Sequence, residues 1–326
     1  MLIKLFRKGY QIQIIIIVLL SGLLWSNGFI TPPDIIPAND ITPLYNIFTF
    51  IKSPLLNTII AYLFMLTQAF MLSSITGKHK ILNLTNLFPA LIYVVLMSYN
   101  SNYLTLSPAL LSNFIIILFF RVLLDIYNTK EPFFLQFRAS TMAGIAFLIS
   151  PANIILIVII WGAYFIFRNS TLREWIISLL GFFMIMFFFA SYIYLSDSET
   201  MYLTAYKNYF SSIKLQIHIS NTYLIPFFAT TALISLIAIS KILSTLQENI
   251  INTRKKLSVT IFYSIIIFIT IFTSLQTIEL QIFQLFITLS IIISILLLSV
   301  KKQRYKELIF SLILITVILE KILQYA

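Results

Sequence analysis

Runs of apolar residues, most of them near the roughly 20 needed to cross about 30 Å of hydrocarbon as a helix, recur along the whole chain. Cut at those runs, 18 of the 22 Lys and Arg fall in, or at the membrane edge of, every second gap. The first set is Lys4, Arg7 and Lys8, followed by Lys78 and Lys80, then Arg121, Lys130 and Arg138, then Arg168 and Arg173. Lys241, Arg254, Lys255 and Lys256 come next, and Lys301, Lys302, Arg304 and Lys306 close the series. The alternate gaps hold only Lys52, Lys207, Lys214 and Lys321. Short loops rich in Lys and Arg stay in the cytoplasm, so the sorting predicts a multi-pass protein with a cytoplasmic N-terminus.

The balance of residue types agrees. Hydrophobic residues make up 60% of the chain and charged residues 10%, whereas a soluble domain carries about 25% charged residues. A net charge of +11 spread over several short loops fits orientation and contact with anionic headgroups. A nucleic-acid reader would cluster its bases on one face, so no nucleic-acid partner is expected. With no cysteine there is no disulfide framework, thiolate metal site or thiol nucleophile. No phosphate-binding loop, Gly-rich dinucleotide turn or His-Glu-x-x-His helix occurs, and neither a metal nor a cofactor is expected.

The fold class expected is all-α, a polytopic helical bundle of about 11 spans, 10 to 12 by the same length criterion. The first run, Ile12 to Ile30, reads as a retained signal anchor, longer than a usual signal-peptide core and without a small-x-small cleavage site. The span at 84–99 is short, and Ser150 with Pro151 interrupts the stretch from Ala139 to Phe167. Arg138 and Arg168 at its two ends favour a hairpin there over a single crossing. The organisation expected is a module over 1–200 with an external loop at 31–53, a second external loop at 196–220, and a four-span module over 221–326.

Candidate chemistry lies outside and at helix ends. Asp34 and Asp40 stand in the Pro-rich first loop, where a carboxylate at the mouth of an apolar bundle has the proton affinity of a general base if it is desolvated. The alternative is a pair of solvated aspartates beside turn-forming prolines. Asn100 and Asn102 make a tight external turn; Asn113 inside the next span and Asn153 beside the Ser150–Pro151 break must find partners in the bundle or bind substrate. Arg121 and Asp125, four apart on one helix, suit a local ion pair. His218 with Asp197 and Glu199 falls below any specific metal-ligand pattern and is retained only as a substrate contact. Glu320 and Lys321 are the only ionisable residues deep in the later spans, and the sequence sets them close to the outer interface.

The order of features, with AGIAFLISPANIILIVIIWGAYFIFR at 143–168 and TLREWIISLLG at 171–181, resembles the membrane half of the polyprenol-dependent glycosyltransferases of the GT-C fold over about residues 10 to 200. The wider chain is also similar to a family of bacterial polytopic inner-membrane proteins of unknown function. The GT-C resemblance implies a polyprenyl-phosphate sugar bound among the outer helix ends and a first-loop acid as catalytic base, for which Asp34 is the match and Asp40 the second. The first loop is shorter than that family's and lacks a tight acidic pair, so a non-catalytic relative stays open. Three readings therefore stand: a lipid-linked glycosyltransferase at the outer leaflet of the bacterial inner membrane, an accessory subunit with membrane-protein partners, or a transporter of a lipid-linked substrate. All three put membrane lipids among its partners.

Overall fold

A computed structural model describes residues 6, 9–37, 41–48, 50–82, 87–127, 129, 132–168, 171–211, 225–271 and 278–325. Those residues form twelve α-helices and no strand. They are α1 (Tyr10–Ile30), α2 (Pro54–Lys78), α3 (Phe88–Met97), α4 (Pro108–Asp125), α5 (Pro132–Ile149) and α6 (Ile155–Phe167). The chain continues with α7 (Leu172–Leu195), α8 (Glu199–Ser211), α9 (Ile225–Thr245), α10 (Ile251–Thr270), α11 (Ile278–Ser299) and α12 (Gln303–Tyr325). Seven are long and apolar enough to cross a membrane: α1, α2, α4, α5, α7, α9 and α11.

Local chemistry sets the helix starts. Pro54 and Pro108 occupy first-turn positions where no N–H is needed, and the Ser107 side chain accepts from Leu110 N at 3.1 Å. Thr171 and Glu174 close a capping box on α7, as Glu at a helix N-terminus leads one to expect. At the other end of the preceding helix, Arg168 adopts φ 64° and stops α6 in the left-handed region.

Side-chain contacts fix the direction of each helix. Lys78 at the end of α2 meets Asp125 at the end of α4, and Lys256 near the start of α10 meets His79. Lys255 donates to the Ile166 carbonyl at the end of α6, and Gln13 of α1 accepts from Leu87 N at the start of α3. These ends share one pole of the bundle, the basic end. At the far end Asn57 of α2 accepts from Thr105 and Leu106 ahead of α4, Tyr99 stacks on Phe227 of α9, and Lys321 of α12 reaches Leu24 of α1. Leaving aside α8, successive helices alternate in direction. The hairpin expected from Arg138 and Arg168 is present: α5 turns at Ser150, runs through a 3-10 turn at Pro151–Ile154 and returns as α6.

The centre is built by α3 and α11. α3 has all ten residues buried and packs against α2, α11 and α1. At 1.5 Å per residue it is about 15 Å long, half a hydrocarbon core. The remainder of the path is the irregular segment 98–107. Irregular backbone at such depth is tolerated only when protein satisfies it, and Asn57 accepts from Leu106 N at 2.7 Å while Tyr45 donates to Leu106 O at 3.2 Å. Close approach of α1 makes room here, since a Cβ on Gly28 would lie 3.2 Å from Leu104 and 3.3 Å from Thr58. α11 packs on α3, α4, α9 and α10, so the C-terminal third of the chain shares one core with the first half. Its polar Thr288, Ser290 and Ser294 bond back to their own helix, which lets it sit inside without unpaired hydroxyls.

α7 is the opposite case. Only 17% of its apolar window is buried, against 78% for α11, and Phe183, Phe187, Phe188 and Tyr192 point outward as a lipid-facing helix requires. It is held by α5, where a Cβ on Gly181 would fall 2.1 Å from Ser140 Oγ and 2.7 Å from the Phe137 carbonyl. Replacing Gly181 with Ala is therefore expected to lower the thermal unfolding midpoint in detergent, through overpacking of about 1–3 kcal/mol. Gly22→Ala, where the nearest atom is Tyr62 Oη at 3.8 Å, is the control and should leave it unchanged or raise it.

Candidate functional site

The loop between α1 and α2 is tied down at Leu44 and Tyr45. Tyr45, buried in a 3-10 turn at Tyr45–Phe48, shares its hydroxyl proton between Ile36 O at 2.9 Å and Leu106 O at 3.2 Å. Leu44 N makes a long contact of 3.5 Å with Leu148 O at the tip of the α5–α6 hairpin. Asp34 thus lies two residues from a fixed carbonyl, at the far end of the bundle, with its side chain exposed. Asp40 and His218 lie outside the described residues, and with His218 goes the grouping with Asp197 and Glu199.

Beneath that loop the structure joins polar residues that are far apart in sequence. Gln68 of α2 donates to Leu110 O at 2.8 Å and accepts from the Tyr93 hydroxyl of α3 at 2.5 Å. Tyr93 in turn accepts from Asn113 of α4 at 2.7 Å, and Asn113 also donates to Phe283 O of α11 at 3.2 Å. The next residue on α11, Gln284, donates to Asn153 Oδ1, and Asn153 donates to Ala146 O at 2.6 Å. Asn113 and Asn153, paired as candidates by residue type alone, therefore fall on one polar layer that runs through α2, α3, α4, α11 and the hairpin tip. Both are fully buried and spend their amide donors on the bundle. Asn113 Oδ1 and Gln284 Oε1 are buried without a hydrogen-bond partner, so the layer keeps two open acceptors. Asn100 is buried in the turn that follows α3 and its carbonyl accepts from Tyr103 N; Asn102 lies in the adjoining 3-10 turn, Ser101–Tyr103, and its side chain is outside the described residues.

One feature differs from the sequence reading, and a second is filled in. Asp125 pairs with Lys78 of α2 at 2.6 and 2.8 Å, and no ion pair links it to Arg121. A partner on another helix end ties α4 to α2, which the spacing of four within α4 cannot reveal. Glu320 and Lys321 are inside the bundle, Glu320 1% exposed and Lys321 8%. The sequence set them near the end of the last span, and α12, ending at Tyr325, holds them there with their side chains turned into the bundle.

At the basic end His79 packs between opposite charges. Lys256 Nζ donates to His79 Nδ1 at 3.0 Å, which leaves the ring proton on Nε2, 3.5 Å from Asp125 Oδ1. Burial, reinforced by the Lys256 charge and only partly offset by Asp125, lowers His79 from its ordinary 6.5 to about 4. The arrangement is a latch between α2, α4 and α10. Among the described residues no group of three His, Cys, Asp or Glu is placed to hold a metal.

Tyr93→Phe removes the donor to Gln68 Oε1 and the acceptor for Asn113. It is expected to cost roughly 1–2 kcal/mol, the range for hydrogen bonds between membrane helices, read as a lower unfolding midpoint. For the latch, the unfolded chain takes a proton on residue 79 as pH falls through 6.5, whereas folded His79 does so only near 4. Stability should therefore drop with pH across that window and level off below it, and His79→Gln, which keeps an acceptor for Lys256, should abolish that component of the thermal midpoint's pH dependence. Compared with known proteins, the chain matches no family model, no curated protein and no solved structure.

Proposed function

We propose that this chain is an integral protein of the bacterial inner membrane with eleven crossings and a cytoplasmic N-terminus, acting at the outer leaflet on a lipid-linked sugar. The crossing count is supported by the alternating directions of α1–α7 and α9–α12, with α3 and α6 as shortened members. The orientation is supported by the Lys and Arg gathered at the basic end, which the positive-inside rule puts in the cytoplasm. Asp34 then faces the periplasmic side. There it serves as the base that takes a proton from the acceptor hydroxyl while the polyprenyl phosphate departs, in the manner of the GT-C glycosyltransferases.

One observation carries the catalytic version: the Asp34 loop is folded back on itself at Ile36 and anchored through Tyr45 and Leu44 onto two places, Leu106 ahead of α4 and Leu148 at the end of α5. A free loop would present its carboxylate at no fixed height above the membrane. A tethered one holds it within reach of the headgroup level, where a lipid-linked phosphate sits. A second reading, a non-catalytic subunit of a membrane complex, is favoured by Asn113 and Asn153, whose amide donors are spent on helix packing.

Asp34→Asn separates the two. In a strain whose surface glycans change when the gene is deleted, loss of a general base is expected to reduce glycan formation by at least about 100-fold. Full complementation by the Asn variant assigns the non-catalytic role, and a deletion without any glycan phenotype removes the transferase reading.

A further inference from the structure

Glu320 is the one acid in the described bundle whose two carboxylate oxygens are both fully buried and without a hydrogen-bond partner. It lies on α12 about 8 Å inside the helix end, and Lys321 reaches a carbonyl about 9 Å inside the end of α1, by the rise of 1.5 Å per residue. Lys321, next in sequence, acts on it through its charge but forms no ion pair with it. Consecutive helix residues diverge by about 100°, and Lys321 is turned onto Leu24 O, with no ion pair to Glu320 among the described residues. The level is that of Trp25, whose indole donates to Ser98 at the end of α3 at 3.1 Å.

Among the described residues, the helices packed on α12 bring no other charge to this carboxyl. α12 packs chiefly on α9 and α3 and meets α1 through Lys321. α3 has Tyr93 as its only titratable group, engaged with Gln68 and Asn113. α9 has Lys241, one residue from Ile242 at its basic-end terminus, and α1 has Tyr10 at its first position. On α12 itself Arg304, Lys306 and Glu307 lie in the first turns, about 20 Å away along the helix. An ionised carboxylate taken out of water without donors costs several kcal/mol even after relaxation. A metal cation would need a shell of oxygens, and no such group of acids is present among the described residues.

We infer that Glu320 is a proton-binding site inside the bundle, occupied by an exchangeable proton at neutral pH, with Lys321 held off on the α1 carbonyl. The site stands independently of any chemistry at Asp34. It gives the outer half of the protein an internal acid that a solvated loop cannot supply, in the place where proton-coupled membrane proteins keep theirs.

Difference infrared spectroscopy on the full-length protein in lipid, wild type minus Glu320→Gln at neutral pH, tests this directly. The carbonyl band of one protonated carboxylic acid is expected in the difference and should disappear at alkaline pH; a carboxylate band in its place overturns the proposal. The neutral isostere should keep the wild-type elution profile and unfold within a few degrees of it, whereas a fall far beyond that overturns the assignment of a neutral acid. Dicyclohexylcarbodiimide, which adds across a protonated carboxyl in an apolar site, should label the Glu320 peptide. Labelling suppressed by sodium at constant pH would assign the site to that cation and overturn the proton.

Discussion

In hydrocarbon a polar group finds partners only in the protein, and the packing at the centre of this bundle answers to that constraint. The half-length α3 is possible because the irregular segment after it is served by Asn57 and Tyr45, side chains from α2 and from the first loop. The same need draws Tyr93, Gln68 and Asn113 into one chain of hydrogen bonds and brings the α11 backbone to it at Phe283. Helices with no apolar preference for one another over lipid acquire in this way a specific set of neighbours.

Much of the architecture was legible from charge and run length. The alternation of Lys and Arg anticipated the alternation of helix direction, down to the α5–α6 hairpin between Arg138 and Arg168. Periodicity was of little use for choosing which helix lies inside, because α7 and α11 are both apolar all round. α11 lies inside because its Gln284 and the Phe283 carbonyl have partners there, whereas the aromatics of α7 are exposed on the outside of the bundle. That distinction is made by neighbours up to 170 residues away in sequence, and no local pattern encodes it.

The site was readable in kind but not in pairing. Asn113 and Asn153 stood out as amides inside apolar runs, yet their meeting through adjacent residues of α11 is a tertiary fact. Spacing within α4 pointed Asp125 at Arg121, and the stronger partner came from the end of α2. The buried acid of the described bundle lies on α12, where helix packing closes over Glu320, while the loop held by two tethers leaves the Asp34 side chain exposed.

The enclosure of α3 also bears on how the chain is assembled. Ribosomal synthesis delivers α3 long before α11, and the bond between Asn113 and Phe283 closes a loop of 170 residues. Until α11 is threaded, the face of α3 that it will cover borders lipid or an insertion factor, and a ten-residue helix is too short to hold a transmembrane position alone. The centre of the molecule is thus completed late in biogenesis, and a chain truncated before α11 would be left with its innermost helix unsheathed.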